Sequence, residues 1–258
     1  VRRAERALEA AIEVQGPTGD GEVLGERLRA ALAVLRRTSG SRNYLYDLPW
    51  YVIIGPPGAG KTTALLNSGI RFPLAESTGG AFAGAGGTRY CDWWFAEEAV
   101  LIDTAGRYTT QDSDKVADAE SWMSFLRMLK KNRSRQPVNG VIVALSLEDL
   151  LSGTRESIEL HAAAIRDRLV ELYQVFRVDV PVYVLFTKAD LVAGFSEFFG
   201  AFSASRRQKV WGATFNPKKR NDPTLPFVGA EYDALLARLS AEVTDRMNDE
   251  PDGVSRIA

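Results

Sequence analysis

One segment constrains this chain more than any other: Gly55-Pro56-Pro57-Gly58-Ala59-Gly60-Lys61-Thr62, followed by Thr63. Glycines let a backbone curl until successive N–H groups converge on one anion. The apolar run Trp50 to Ile54, rich in β-branched residues and bounded by Gly and Pro, reads as a buried strand leading into it. A helix expected from Lys61 to about Asn67 follows, and a helix N-terminus favours negative charge. Two glycines, a lysine and a threonine at this spacing form a P-loop. The backbone from Gly55 through Gly60 would hold the β-phosphate, Lys61 would reach the β- and γ-phosphates, and the Thr62 hydroxyl would ligate Mg²⁺. The competing reading is a Gly-Pro turn with a chance Lys-Thr, which the flanking strand and helix disfavour. The expectation is a nucleoside triphosphate, ATP or GTP, bound with Mg²⁺.

Three further segments extend this site. In Leu101-Ile102-Asp103-Thr104-Ala105-Gly106, an aspartate ends a buried strand, where it can hold Mg²⁺ directly or through water. The Gly106 N–H can face the γ-phosphate. Thr187-Lys188-Ala189-Asp190 ends the last core strand and has the form of the guanine-reading signature of GTPases, with Thr187 where Asn is common. Asp190 can accept from guanine N1–H and the 2-amino group together, and adenine offers no such pair. A carboxylate left unpaired there would cost about 1–3 kcal/mol. The Lys188 stem can pack over a base. Thr88 closes a Gly-rich stretch, and two readings stay open for it: a switch threonine closing on Mg²⁺ and the γ-phosphate, or a plain loop residue. Arg107 stands where small GTPases often carry a water-positioning Gln. It can stabilise γ-phosphate charge in cis or pair with a carboxylate, and slow intrinsic hydrolysis is expected.

Strands expected at Trp50 to Ile54, Val141 to Leu145 and Pro181 to Thr187, all read as buried, alternate with helices at Ala117 to Lys131 and Arg155 to Phe176. That alternation implies a mainly parallel sheet covered on both faces. Arg89 to Phe95 and Ala99 to Asp103 read as a hairpin. Ser77 to Thr88 is so rich in Gly and Ala that it reads as a mobile loop. Helices at Arg2 to Val14 and about Glu22 to Arg37, with Val23, Leu28, Leu32 and Leu35 near one face, form an N-terminal module. A final helix is expected at Glu231 to Met247. Residues 1–43 are thus a helical segment, 44–195 the P-loop domain, and 196–258 a helical extension.

The 258 residues suffice for one sizeable α/β domain with a small appendage. A net charge of -1 speaks against a nucleic-acid binder working by general electrostatics. Cys91 is the only cysteine and reads as a buried small hydrophobe. His161 is the only histidine, which leaves no material for a Ser-His-Asp triad or a His-based zinc site, and it reads as an ordinary helix residue. The chain starts at Val1 and is read as a piece of a longer protein, so its lack of a membrane-length apolar run says nothing about the parent.

Gly-Lys-Thr-Thr, Asp-Thr-Ala-Gly-Arg and Thr-Lys-x-Asp also occur together in signal-recognition-particle GTPases. A longer likeness runs from Leu48-Pro49-Trp50-Tyr51 through the P-loop and Cys91-Asp92-Trp93-Trp94-Phe95. It continues through Leu101 to Tyr108, Gly140 to Val143 and Val184 to Asp190, and ends with Gly194-Phe195 and Trp211 to Phe215. Over about Tyr44 to Phe215 the chain resembles the TssM (IcmF-like) family of type VI secretion, down to tryptophans that plain GTPases do not share. The resemblance implies a P-loop NTPase domain on the cytoplasmic face of a bacterial inner membrane, anchored by segments outside this chain. It also implies TssL, TssJ and baseplate components as partners.

Three functions follow as expectations. The leading one is a Mg²⁺-dependent NTPase that couples nucleotide state to conformational change in a secretion complex. The second is a nucleotide-binding scaffold with little turnover. The third, a signal-recognition-type targeting GTPase, should carry a four-helix module ahead of the P-loop, and the short helical start fits that poorly.

Overall fold

The computed structural model describes residues 19–39, 44–72, 91–111, 114–200, 202–207, 212–215 and 225–249. The helix expected at Arg2 to Val14, the loop Ser77 to Thr88, Trp211 and the basic run Lys218 to Arg220 lie outside these residues. The chain divides into two compact units, one ending at Thr187 and the other starting at Lys188.

The first unit is a five-stranded sheet with helices on both faces. Its strands are β1 (Trp50–Ile54), β2 (Cys91–Phe95), β3 (Val100–Thr104), β4 (Gly140–Ser146) and β5 (Val182–Thr187), in the order β2-β3-β1-β4-β5. β1 pairs in parallel with β3 and β4, and β4 with β5. β2 and β3 form the expected antiparallel hairpin, with Trp93 opposite Ile102 and Asp92 opposite Asp103. Its helices are α1 (Gly19–Ser39), α2 (Tyr44–Asp47), α3 (Lys61–Leu66), α4 (Gly106–Thr110), α5 (Lys115–Asn132), α6 (Leu147–Ser152) and α7 (Arg155–Phe176).

Strand alternation sorts the core into two layers. Trp50, Val52, Cys91, Trp93, Ile102 and Val141 bury one face against α1, α5 and α7. Leu24, Leu28, Leu32 and Leu35 recur on α1 at helical spacing and are all buried there. Ile53, Trp94, Leu101 and Ala144 bury the other face against Ala59, Leu65 of α3 and Phe72. Trp50 meets Trp93 edge-on at 5.3 Å on the first face, and Phe72 meets Trp94 at 5.2 Å on the second. Cys91 is buried on β2 as a small hydrophobe.

Arg133, just past α5, is buried, and among the described residues its contacts include no acidic partner. Its guanidinium lies 4.4 Å from the Trp50 ring centroid and 5.1 Å from that of Tyr46. It donates to Pro137 O at 3.4 Å and Asn139 Oδ1 at 3.5 Å. Burial lowers its pKa to about 10, and the Tyr46 hydroxyl works against that shift. The aromatic faces take over part of what water supplied.

One strand departs from expectation. Val182, Tyr183, Val184, Leu185 and Phe186 were expected to be buried, yet each is about half-exposed, and only Thr187 of β5 is buried. Among the described residues, β5 is the last strand of the sheet and pairs with β4 alone. An apolar run reports β propensity but does not separate a central strand from an edge one.

The second unit holds a 3₁₀ turn at Ala189–Leu191, then α8 (Phe195–Gly200), α9 (Ala204–Arg207) and α10 (Leu225–Asp249). α10 starts earlier than the expected Glu231, and Pro226 sits in its first turn, where a missing N–H costs nothing. Phe195, Phe198, Phe199 and Phe202 stack on one another at 4.6–6.3 Å. No helix among the described residues is long and apolar enough to cross a membrane.

Candidate functional site

The site forms where β1 ends. β3 and β4 flank β1, while α3 covers one face of the sheet and α5 and α7 the other. The chain therefore reverses its winding at the carboxyl end of β1, which is where open α/β sheets leave a crevice. The loop Gly55 to Gly60 fills that position.

The loop's shape is forced by its glycines. Gly58 and Gly60 are left-handed, with φ of 74° and 73°. Gly55 has φ of 154°, and a Cβ on it would come within 2.4 Å of Ala144 O on β4. Only glycine lets β1 leave the sheet at this point. Gly60 then caps α3 through its backbone, with no side chain in the way.

Three polar side chains converge behind the loop. Lys61 is buried, and its ammonium donates to Gly55 O at 2.9 Å and Pro56 O at 3.0 Å. Burial pushes its pKa down, and the Asp103 carboxylate partly restores it. The Thr62 hydroxyl donates to the Asp103 carboxylate. Asp103 is fully buried at the end of β3, and its cross-strand neighbour Asp92 is buried as well. A hydroxyl beside a buried carboxylate, with a second acidic residue opposite in the ladder, is a hard-oxygen donor set that suits Mg²⁺. No cluster of three or more His, Cys, Asp or Glu able to hold a metal occurs among the described residues. A phosphate-coordinated Mg²⁺ does not need one, because substrate oxygens and water complete its shell.

Gly106 lies against the loop. A Cβ there would come within 2.5 Å of the Pro57 backbone. The Thr187 hydroxyl, at the end of β5, donates to Ala59 O at 2.7 Å and lies 3.1 Å from Leu145 O. A hydroxyl at the position where GTPases commonly carry Asn therefore ties β5 to the loop. Thr63 is exposed on α3.

Arg107 points elsewhere. Its Nη1 donates to Asp118 Oδ1 of α5 at 2.6 Å, and Asp118 is fully buried. Of its two readings, the structure contains the carboxylate pair. Thr88 lies outside the described residues. Lys188, left-handed at φ of 56°, and Asp190, exposed in the 3₁₀ turn, belong to the second unit.

Residues to which the motifs assign no role complete the arrangement. The Thr104 hydroxyl donates to Ile53 O at 2.7 Å, and the Thr109 hydroxyl accepts from Gly55 N–H at 3.1 Å. Arg168 of α7 donates to Tyr108 O at 3.4 Å and pairs with Glu171. Threonine and arginine occur throughout the chain, so no sequence signal distinguishes these positions.

Another concavity, a groove of about 320 Å³, lies between β4, β5, α6 and α7 with Pro56 at its edge and His161 on its rim. Val143, Leu145, Ile165 and Leu169 line it. Ser146, Asp149, His161 and Arg166 add polar groups to that lining.

Two likenesses to known proteins bear on this geometry. A family described as the IcmF-related N-terminal domain matches residues 115–258. A relative described as type VI secretion system component TssM1, from Pseudomonas aeruginosa, is 50% identical over 239 residues. That likeness covers 90% of this chain and 22% of the relative, so the chain spans about a fifth of the relative's length.

Proposed function

The chain belongs to the IcmF-related (TssM/IcmF) family, and from that premise we propose that it is a Mg²⁺-dependent nucleoside-triphosphate-binding and hydrolysing unit of a type VI secretion component. The observation that carries this reading is the buried Lys61–Thr62–Asp103 group behind a left-handed glycine loop at the carboxyl end of β1. In this reading the loop is a P-loop within a GTPase-like P-loop domain. Converging N–H groups bind the phosphates, and the Lys61 ammonium exchanges its two carbonyl partners for phosphate oxygens. Thr62 and Asp103 would hold Mg²⁺, with Thr88 as a further candidate. A Mg²⁺ held there would supply charge stabilisation to the phosphate oxygens. Water attacks the γ-phosphorus in line as the bond to the bridging oxygen breaks, giving nucleoside diphosphate and phosphate. Gly106, pressed on the loop, is placed to respond when the γ-phosphate leaves.

Hydrolysis is slow in this proposal. No Gln follows Gly106, and Arg107 is committed to Asp118. The same two observations favour a second reading, a nucleotide-dependent scaffold with little turnover. At the scale of the parent protein, nucleotide state would alter contacts with TssL, TssJ and baseplate components at the cytoplasmic face of the inner membrane.

The deciding experiment is a binding titration with ATP and with GTP, each with and without Mg²⁺, followed by multiple-turnover phosphate release. Tight Mg²⁺-dependent binding that Lys61→Ala removes is the expected result. Equal phosphate release by Lys61→Ala and wild type would defeat the enzymatic reading. Tight binding with no release beyond one equivalent favours the scaffold.

A further inference from the structure

β1 loses its β3 partner at Asp103, because the chain turns at Ala105 into α4. The backbone of β1 still has polar groups to satisfy beyond that point, and a buried N–H needs a partner. Two threonine hydroxyls from the departing chain supply them. Thr104 donates to Ile53 O, and Thr109 accepts from Gly55 N–H. Gly55 and Thr109 are both buried.

Gly55 is the first residue of the phosphate loop, and its backbone is wedged against Ala144 O. Thr109 is the penultimate residue of α4, about one turn past Gly106. On its other sides, α4 is held by Arg107, which binds Asp118 of α5, and by Tyr108 O, which accepts from Arg168 of α7. Gly106 lies so close to the loop that a Cβ on it would come within 2.5 Å of the Pro57 backbone. The Gly55–Thr109 hydrogen bond is a directed link between the loop and the helix bound to α5 and α7.

We propose that Thr109 is a positioning residue that couples the phosphate loop to α4, so that nucleotide bound at the loop orders α4 through the Gly55 amide. This rests on the nucleotide reading above and adds the route by which occupancy leaves the site. A reoriented Gly55 amide must carry the Thr109 hydroxyl with it or lose its bond, and α4 has left-handed Gln111 at its end as a place to pivot.

The test is amide hydrogen exchange by mass spectrometry on wild type, Thr109→Val and Thr109→Ser, with and without Mg²⁺ and a non-hydrolysable analogue of whichever of ATP or GTP the wild type binds. In wild type the analogue should slow exchange in peptides spanning 55–61 and 105–111. Thr109→Val should keep the slowing at 55–61 and lose about fivefold or more of it at 105–111. Thr109→Ser, which keeps the hydroxyl, should behave as wild type. Should Thr109→Val fail to fold, Thr109→Ala carries the same comparison. Undiminished protection at 105–111 in the variant without the hydroxyl, or equal loss in Thr109→Ser, overturns the coupling while leaving nucleotide binding intact. A flat titration and no protection anywhere in wild type instead overturn the nucleotide reading and this coupling with it.

Discussion

At the scale of single residues, charge placement decides roles that motif spacing leaves open. Arg107 follows Gly106 directly, and by spacing alone it can face either a phosphate or a carboxylate. The fold puts Asp118, fully buried, 2.6 Å from its guanidinium. Removing the cation takes the charged partner from a buried carboxylate, which costs more than losing a surface pair. Arg107→Ala should lower unfolding free energy by about 2–3 kcal/mol in urea titrations, tempered by the partial exposure of the arginine. Adding Asp118→Asn should recover part of that loss. Additive losses would show that the two side chains do not act together. Lys61 is a second case: burial disfavours its charge, and the Asp103 carboxylate partly offsets that.

At the scale of elements, the join between β1 and α3 depends on glycine for two different reasons. Gly58 is left-handed with open space where a Cβ would go, so Gly58→Ala should cost about 1–2 kcal/mol, the penalty of φ > 0 alone. Gly55 combines positive φ with the backbone of Ala144 at 2.4 Å. Gly55→Ala must move β4 or the loop and should cost about 3 kcal/mol or more, read by thermal unfolding. Equal costs would refute the close packing of β4 on the loop. The end of α5 shows the same dependence on shape. Arg133 lies near two aromatic rings, so Arg133→Lys keeps the charge and loses the planar stack, with an expected loss of about 1–2 kcal/mol. Unchanged stability would mean the charge alone matters there.

At the scale of the molecule, the motif set divides between two units: Thr187 closes the first, and Lys188 and Asp190 open the second. The base-reading role of Asp190 rests on its motif, and Asp190→Asn is the variant that addresses it. The expected result is GTP binding weakened by roughly tenfold or more with ATP binding unchanged. Unchanged GTP affinity removes the guanine reading. What the chain's own order of residues determined is local. Glycine spacing, strand-to-helix punctuation and the aspartate at a strand end placed the loop, β1, β3, β4, α5 and α7 within a few residues, because φ preference and apolar periodicity act over short separations. Tertiary structure decided the rest. It made β5 an edge strand, committed Arg107 to Asp118, set Asp92 across from Asp103, and brought Thr109 to Gly55 and Thr187 to Ala59. Those partners lie 11 to 128 residues apart, and only packing chooses among the many threonines and carboxylates able to fill each place.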